Sequence, residues 1–146
     1  METATIIEKF ESRNPHKIWQ ATWEILRCND LDILSELAVY IPAFTEILAK
    51  VDLGGAVRRN AQDAQLALKY IEQRCKGLCR CYLYSGQNMF SPEQESALDF
   101  IEIVTSQTME DLYEAHFLVI CSGCAKKFNV REVHGWHVPW YEWSNA

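Results

Sequence analysis

Apolar residues recur every three to four positions through the first half of this chain and every second position through the second, so helices should precede strands. Thr3 to Ser12 places Ile6, Ile7 and Phe10 on one side of a helix, and Asn14-Pro15 offers an N-cap with proline in the first turn of the next. That second helix carries Ile18, Trp19, Ala21, Thr22, Ile25 and Leu26 on a buried stripe, with Trp23 on the same side as Trp19. Asp30 caps a third, through Leu31, Ile33, Leu34, Leu37 and Ala38, and Pro42 breaks or restarts it before Phe44, Ile47 and Leu48. Leu53-Gly54-Gly55 reads as a loop. Asn60 is placed to cap a last helix through Ala64, Leu66, Ala67, Leu68 and Ile71, which Gly77 ends. These elements form successive helical hairpins, either a plain bundle or a HEAT-like pair without a clear repeat period.

After Gly77 the period changes to two. Leu78 to Tyr84, Phe100 to Thr105, Asp111 to Cys121 and Phe128 to Val133 read as strands, with Ser85 to Ser96 as a loop. In the longest of them Tyr113, Phe117 and Val119 fall on one side and Leu112, Leu118 and Ile120 on the other. The connections are too short for crossover helices, so the sheet is antiparallel. The fold class is therefore α+β within residues 1–146 as a single domain: a helical half, 1–76, and a small sheet in 77–146.

Cysteine spacing supplies a reason for so small a sheet to hold together. Cys79-Arg80-Cys81 and Cys121-Ser122-Gly123-Cys124 are two close pairs separated by tens of residues, the arrangement that a tetrahedral thiolate site requires. If Leu78 to Tyr84 is a strand, its period puts Cys79 and Cys81 on one face, and Gly123 lets the second pair curl around an ion. The expected cofactor is a structural zinc ion held by Cys79, Cys81, Cys121 and Cys124. Cys75, His134 or His137 could replace one of these, while Cys28 reads as a core residue. The bland alternative is four reduced core thiols. A redox pair is disfavoured because no amphipathic helix follows Cys124.

With 146 residues and 49% hydrophobic content the chain can bury a substantial core without disulfides. It shows neither a leader at Met1 to Phe10 nor a run of about 18 apolar residues, so a cytoplasmic setting is expected, with its cysteines reduced. Its net charge is −6, unevenly spread: residues 77–146 hold nine acids against four bases. No lysine or arginine lies between Arg80 and Lys126, where Glu93, Glu95, Asp99, Glu102, Glu110, Asp111 and Glu114 all fall. Such a surface repels nucleic acid and attracts a basic partner, or else serves only solubility. The tail from His134 to Trp143 holds three tryptophans, too much apolar area to leave wet; it should close the groove between the halves or form a partner-binding patch.

Together, Leu53-Gly54-Gly55-Ala56-Val57-Arg58-Arg59-Asn60, Cys79-Arg80-Cys81-Tyr82-Leu83-Tyr84, Cys121-x-x-Cys124 and the ending Gly135-Trp136-His137-Val138-Pro139-Trp140-Tyr141-Glu142-Trp143 resemble a group of small bacterial zinc-ribbon-like proteins. Some of that group resemble immunity proteins of polymorphic, contact-dependent toxin systems. The resemblance implies a metal-clamped sheet and neutralisation of a toxin domain. The acidic stretch fits a basic nuclease as the cognate toxin, occluded through Glu93, Glu95, Asp99, Glu102, Glu110, Asp111 and Glu114.

Two other functions compete. A zinc-dependent hydrolase would use Glu132, His134 or His137, but four thiols close the coordination shell that catalysis leaves open. A nucleic-acid-binding or regulatory zinc ribbon would rest on Arg80, Lys126, Lys127 and Arg131 alone. The expectation is a non-enzymatic, cytoplasmic binding protein with no membrane association.

Overall fold

A computed structural model describes residues 2–55, 59–135 and 138–146. Among these described residues six α-helices precede a four-stranded antiparallel sheet, so the α+β class holds. The chain divides into two compact units, Met1–Leu78 and Cys79–Ala146, the boundary falling two residues beyond the change of periodicity.

The first unit holds α1 (Thr3–Glu11), α2 (Pro15–Leu26), α3 (Leu31–Ala38), α4 (Ile41–Lys50) and α5 (Asn60–Cys75). Asn14 caps α2 by accepting from the His16 and Lys17 N–H groups, and Asp30 caps α3 through Asp32 and Ile33. Helix α5 packs against α2, α3 and α4, while α1 touches α2, α3 and α4. A solenoid restricts each hairpin to its neighbours, so this is a bundle and not a HEAT-like array. Phe10 stacks on Phe44 with centroids 4.1 Å apart, and Tyr70 donates from its hydroxyl to the Cys28 carbonyl at 2.7 Å. Cys28 is buried as expected.

Two local readings need correction here. Trp19 is 40% exposed; its neighbours Ile18, Ala21, Thr22, Ile25 and Leu26 make the buried stripe without it. Asn60 is the first residue of α5 and not its cap. Its side-chain amide donates to the Leu53 carbonyl and its N–H to the Gly54 carbonyl, both at 3.0 Å, so it ties the preceding loop to the helix.

The second unit is a meander in the order β1-β2-β3-β4: β1 (Ile101–Met109), β2 (Glu114–Cys121), β3 (Lys127–His134) and β4 (Pro139–Asn145). Ala115, Phe117, Val119 and Cys121 of β2 face the core with Phe128 and Val130 of β3 and Tyr141 of β4. Leu118 and Ile120 lie on the other face, half-buried. Leu112 and Tyr113 belong to neither face: they sit outside β2, in and after a 3₁₀ turn over Glu110–Leu112, and are exposed.

Leu78 to Tyr84 is not a strand. Arg80–Tyr84 forms a 3₁₀ helix in which Arg80, Cys81, Leu83 and Tyr84 are all buried. The fourth strand comes instead from the aromatic tail, whose β4 pairs with β3 from Phe128↔Asn145 to His134↔Pro139. The tail thus becomes an edge strand; Trp136 and His137 lie outside the described residues. Within Ser85 to Ser96, Ser91 caps a further short helix, α6 (Pro92–Ala97).

Candidate metal centre

Cys79 precedes the 3₁₀ helix with extended backbone, and Cys81 lies in its first turn, so a local bend and not strand alternation brings their sulfurs to one side. Cys121 ends β2 and Cys124 lies in the turn leading to β3. The Cys121 N–H donates to the Lys126 carbonyl at 2.8 Å and the Ala125 N–H to the Cys121 carbonyl at 2.9 Å, which closes the turn. Ala125, not Gly123, takes the left-handed backbone, at φ 64°.

Gly123 is required for room instead. A Cβ placed there would lie 2.9 Å from Cys79 Sγ, closer than real contacts allow. The hairpin turn is thereby pressed against the first cysteine pair.

The four sulfurs converge. All lie within 4.8 Å of one another, with Cys79 Sγ 3.5 Å from Cys121 Sγ and Cys81 Sγ 3.5 Å from Cys124 Sγ. All six cysteines are free thiols. A metal–sulfur bond of about 2.3 Å in a tetrahedron sets its sulfurs about 3.8 Å apart, so these separations fit one ion at the centre. The cluster can hold a metal ion.

The local dipoles favour that use. Cys121 Sγ accepts from the Gly123 and Cys124 N–H groups, and Cys124 Sγ from that of Lys126. Such N–H groups stabilise sulfur as thiolate and orient it. Against them, burial pushes the Cys81 thiol up, reinforced by Cys124, Cys121 and Cys79, and burial likewise raises Cys121. At Cys124 slight burial pushes upward, and the Lys126 N–H with bonds from the three neighbouring sulfurs outweighs it. A cation among the sulfurs would favour the thiolate at Cys81 and Cys121 against this burial.

The substitutes considered for the four ligands fall elsewhere. Cys75 is exposed at the end of α5, 4.0 Å from Ser35 Oγ, and belongs to the first unit. His134 ends β3, at the opposite end of that strand from the cysteine turn, with Nε2 2.9 Å from Glu132 Oε1. His137 lies outside the described residues. Among the described residues the four cysteines are the one such cluster that could hold a metal ion.

Arg80, between the first two cysteines, is 4% exposed and so offers no charge to a nucleic acid. Its Nε donates to Glu95 Oε1 at 2.9 Å and an Nη to Oε2 at 3.0 Å; Tyr84 adds its hydroxyl to Oε1 at 2.6 Å. The guanidinium lies 3.6 Å from the centroid of the Phe100 ring. Tyr84 in turn stacks on Trp143, centroids 4.0 Å apart, and Trp143 Nε1 donates to the Phe90 carbonyl at 3.0 Å. This buried network ties the segment that carries Cys79 and Cys81 to α6 and β4. The Ser91-Pro92 start of α6, an N-cap followed by proline, is the sequence signal that could have revealed it.

The acidic residues do not form one face. Glu95 is buried in the ion pair, which removes it from any partner surface. Glu114 is bonded to Arg131 and His116. The other five are exposed and divide into two groups. Glu93, Asp99 and Glu102 lie toward the cysteine end, where Ile101 pairs with Cys121; Glu110 and Asp111 lie beyond Met109, which pairs with Glu114. At about 3.3 Å per residue, β1 separates the two groups by about 26 Å.

Among the described residues no helix is long and apolar enough to cross a membrane. Comparison with protein-family models, with curated proteins and with solved structures finds no match to the chain.

Proposed function

We propose that the chain is a non-catalytic binding protein of the immunity type, in which zinc braces the second unit and an acidic, partly apolar tip engages a basic protein toxin domain. The observation that carries this reading is the turn between β1 and β2. Glu110 and Asp111 stand there beside Leu112, 62% exposed, and Tyr113, 73% exposed. Tyr113 sits at φ 53°, ψ 43°, a left-handed conformation that costs a bulky residue about 1–2 kcal/mol. Strain that presents an aromatic ring to solvent beside two acids suits a contact anchor better than a packing role.

Zinc is the ion that four thiolates at tetrahedral spacing favour, and a complete sulfur shell supports a bracing use over hydrolysis. Its setting is cytoplasmic, where the free thiols persist. Nucleic acid is the less supported partner. Arg80 is buried against Glu95, and Arg131 bonds both Glu114 and Glu142, which leaves Lys126 and Lys127 of the four nearby bases.

The test is titration against the protein product of an adjacent toxin gene, with co-expression for protection. Binding that weakens with salt and with Glu110→Lys and Asp111→Lys supports the reading. Absence of both binding and protection ends it.

A further inference from the structure

The sheet has two edges, and only one of them is guarded. Pro139 opens the β4 edge, and the Tyr141 N–H donates to the Asn88 carbonyl at 3.0 Å, so that edge is partly occupied by its own chain. Along β1, the other edge, no lysine, arginine or proline stands between Ile101 and Met109. A register shift between Ile103 and Thr105 bends its start, but from Thr105↔Leu118 to Met109↔Glu114 the pairing with β2 is unbroken. Thr105, Ser106, Gln107 and Thr108 are all exposed.

The direction in which each β1 residue bonds follows from the turn at the end of β2. The Cys121 N–H donates to the Lys126 carbonyl, so Cys121 turns its backbone groups toward β3, and by alternation so do Val119, Phe117 and Ala115. Their partners on β1 therefore turn away from β2. Beyond the register shift these are Ser106, opposite Phe117, and Thr108, opposite Ala115. Among the described residues neither makes a backbone hydrogen bond on that outward side. Each thus presents one donor and one acceptor at strand spacing.

The charge around this edge selects the occupant. Glu102 stands before it and Glu110 and Asp111 after it, all exposed, and no lysine or arginine lies between Arg80 and Lys126. A second copy of the chain would set acid against acid at both ends, whichever way it ran. An extended basic segment meets opposite charge at both ends, and about eight residues at about 3.3 Å each span from Glu102 to Glu110.

We propose that a basic, extended segment of the partner adds to β1 as a fifth strand, bonded through the backbones of Ser106 and Thr108. The proposal rests on the reading of the chain as an immunity-type binding protein and deepens it, since the tip at Glu110 to Tyr113 continues directly from this edge. Backbone bonds hold the segment in register, and its lysine or arginine side chains reach Glu102, Glu110 and Asp111.

Hydrogen exchange of single amides, followed by NMR, tests this on the full chain alone and bound to the protein product of the adjacent toxin gene. In the complex the Ser106 and Thr108 amides should exchange at least about tenfold more slowly than in the free chain. Ser106→Pro deletes only the outward N–H and should weaken binding about tenfold, while Ser106→Ala keeps that N–H and should bind as the parent does. The exchange measurement uses the parent chain, so it decides even where Ser106→Pro does not fold. A complex in which both amides exchange as in the free chain overturns the proposal and leaves the immunity-type reading standing on its tip. So does a folded Ser106→Pro chain that binds like the parent. Protection of both amides in the free chain, with a dimer by light scattering, assigns the edge to a second copy and overturns the proposal as well. A chain that neither binds the toxin product nor protects cells from it overturns both readings.

Discussion

Arg80 and Glu95 form a two-pronged ion pair inside the second unit, through Nε and an Nη at 2.9 and 3.0 Å, with each side chain at most 5% exposed. The pair fixes the segment that carries Cys79 and Cys81 to helix α6. Burying both charges is costly, and the geometry offsets that cost only while both are present. Glu95→Gln or Arg80→Met should therefore destabilise the second unit by about 3–5 kcal/mol. Replacing both by apolar residues of similar volume should cost much less. Denaturant titration of the metal-loaded protein, read at Trp143, measures both.

Gly123→Ala places a methyl group where Cys79 Sγ already stands, 2.9 Å away. The turn must shift, and the shift is felt first by the metal shell. Metal affinity, measured by competition with a chelating dye, should fall by at least about tenfold, the scale seen when the surroundings of a metal site are disturbed. Helix content of the first unit should stay unchanged.

Trp143 is both a stacking partner of Tyr84 and a donor to the Phe90 carbonyl. Trp143→Ala should cost about 3–5 kcal/mol by leaving a cavity. Trp143→Phe keeps a ring over Tyr84 and loses the hydrogen bond, for a cost of about 1 kcal/mol. Thermal or denaturant unfolding distinguishes the two outcomes.

Much of this fold was legible in the sequence because its signals are local. Asn14-Pro15 and Asp30 mark helix starts through groups within three residues of themselves, and the alternation of Phe117, Val119 and Cys121 marks β2 through burial of one face. The four cysteines were legible for the same reason: close pairs constrain geometry whatever the backbone does between them. What could not be read depends on partners distant in sequence. Leu78 to Tyr84 has strand-like composition, yet Arg80 takes Glu95 as its partner, which favours a turn that buries both. Thr105 to Thr108 of β1 has no apolar alternation, because that stretch is exposed and held by pairing with β2. The seven acids looked like one patch only because sequence order hides the length of a strand.

On the outer face of the sheet, the Arg131 guanidinium, followed by His116, holds the Glu114 carboxyl down to about 2. A carboxylate whose folded value lies below its unfolded one stabilises fully above the unfolded range, near pH 4.5. That contribution is lost as pH falls from there toward 2. Glu114→Gln should thus lower stability at neutral pH and flatten the acid limb of the stability–pH curve between those values. Urea midpoints at a series of pH values, at low salt, provide the comparison.

The central claim is that one metal ion, held by Cys79, Cys81, Cys121 and Cys124, braces the second unit. Elemental analysis of native protein, purified without added metal or chelator, tests it most directly. About one zinc ion per chain is expected, with loss of that ion when Cys79 and Cys121 are changed to serine. Native protein with no bound metal, or metal retained by the Cys79→Ser, Cys121→Ser variant, would contradict it.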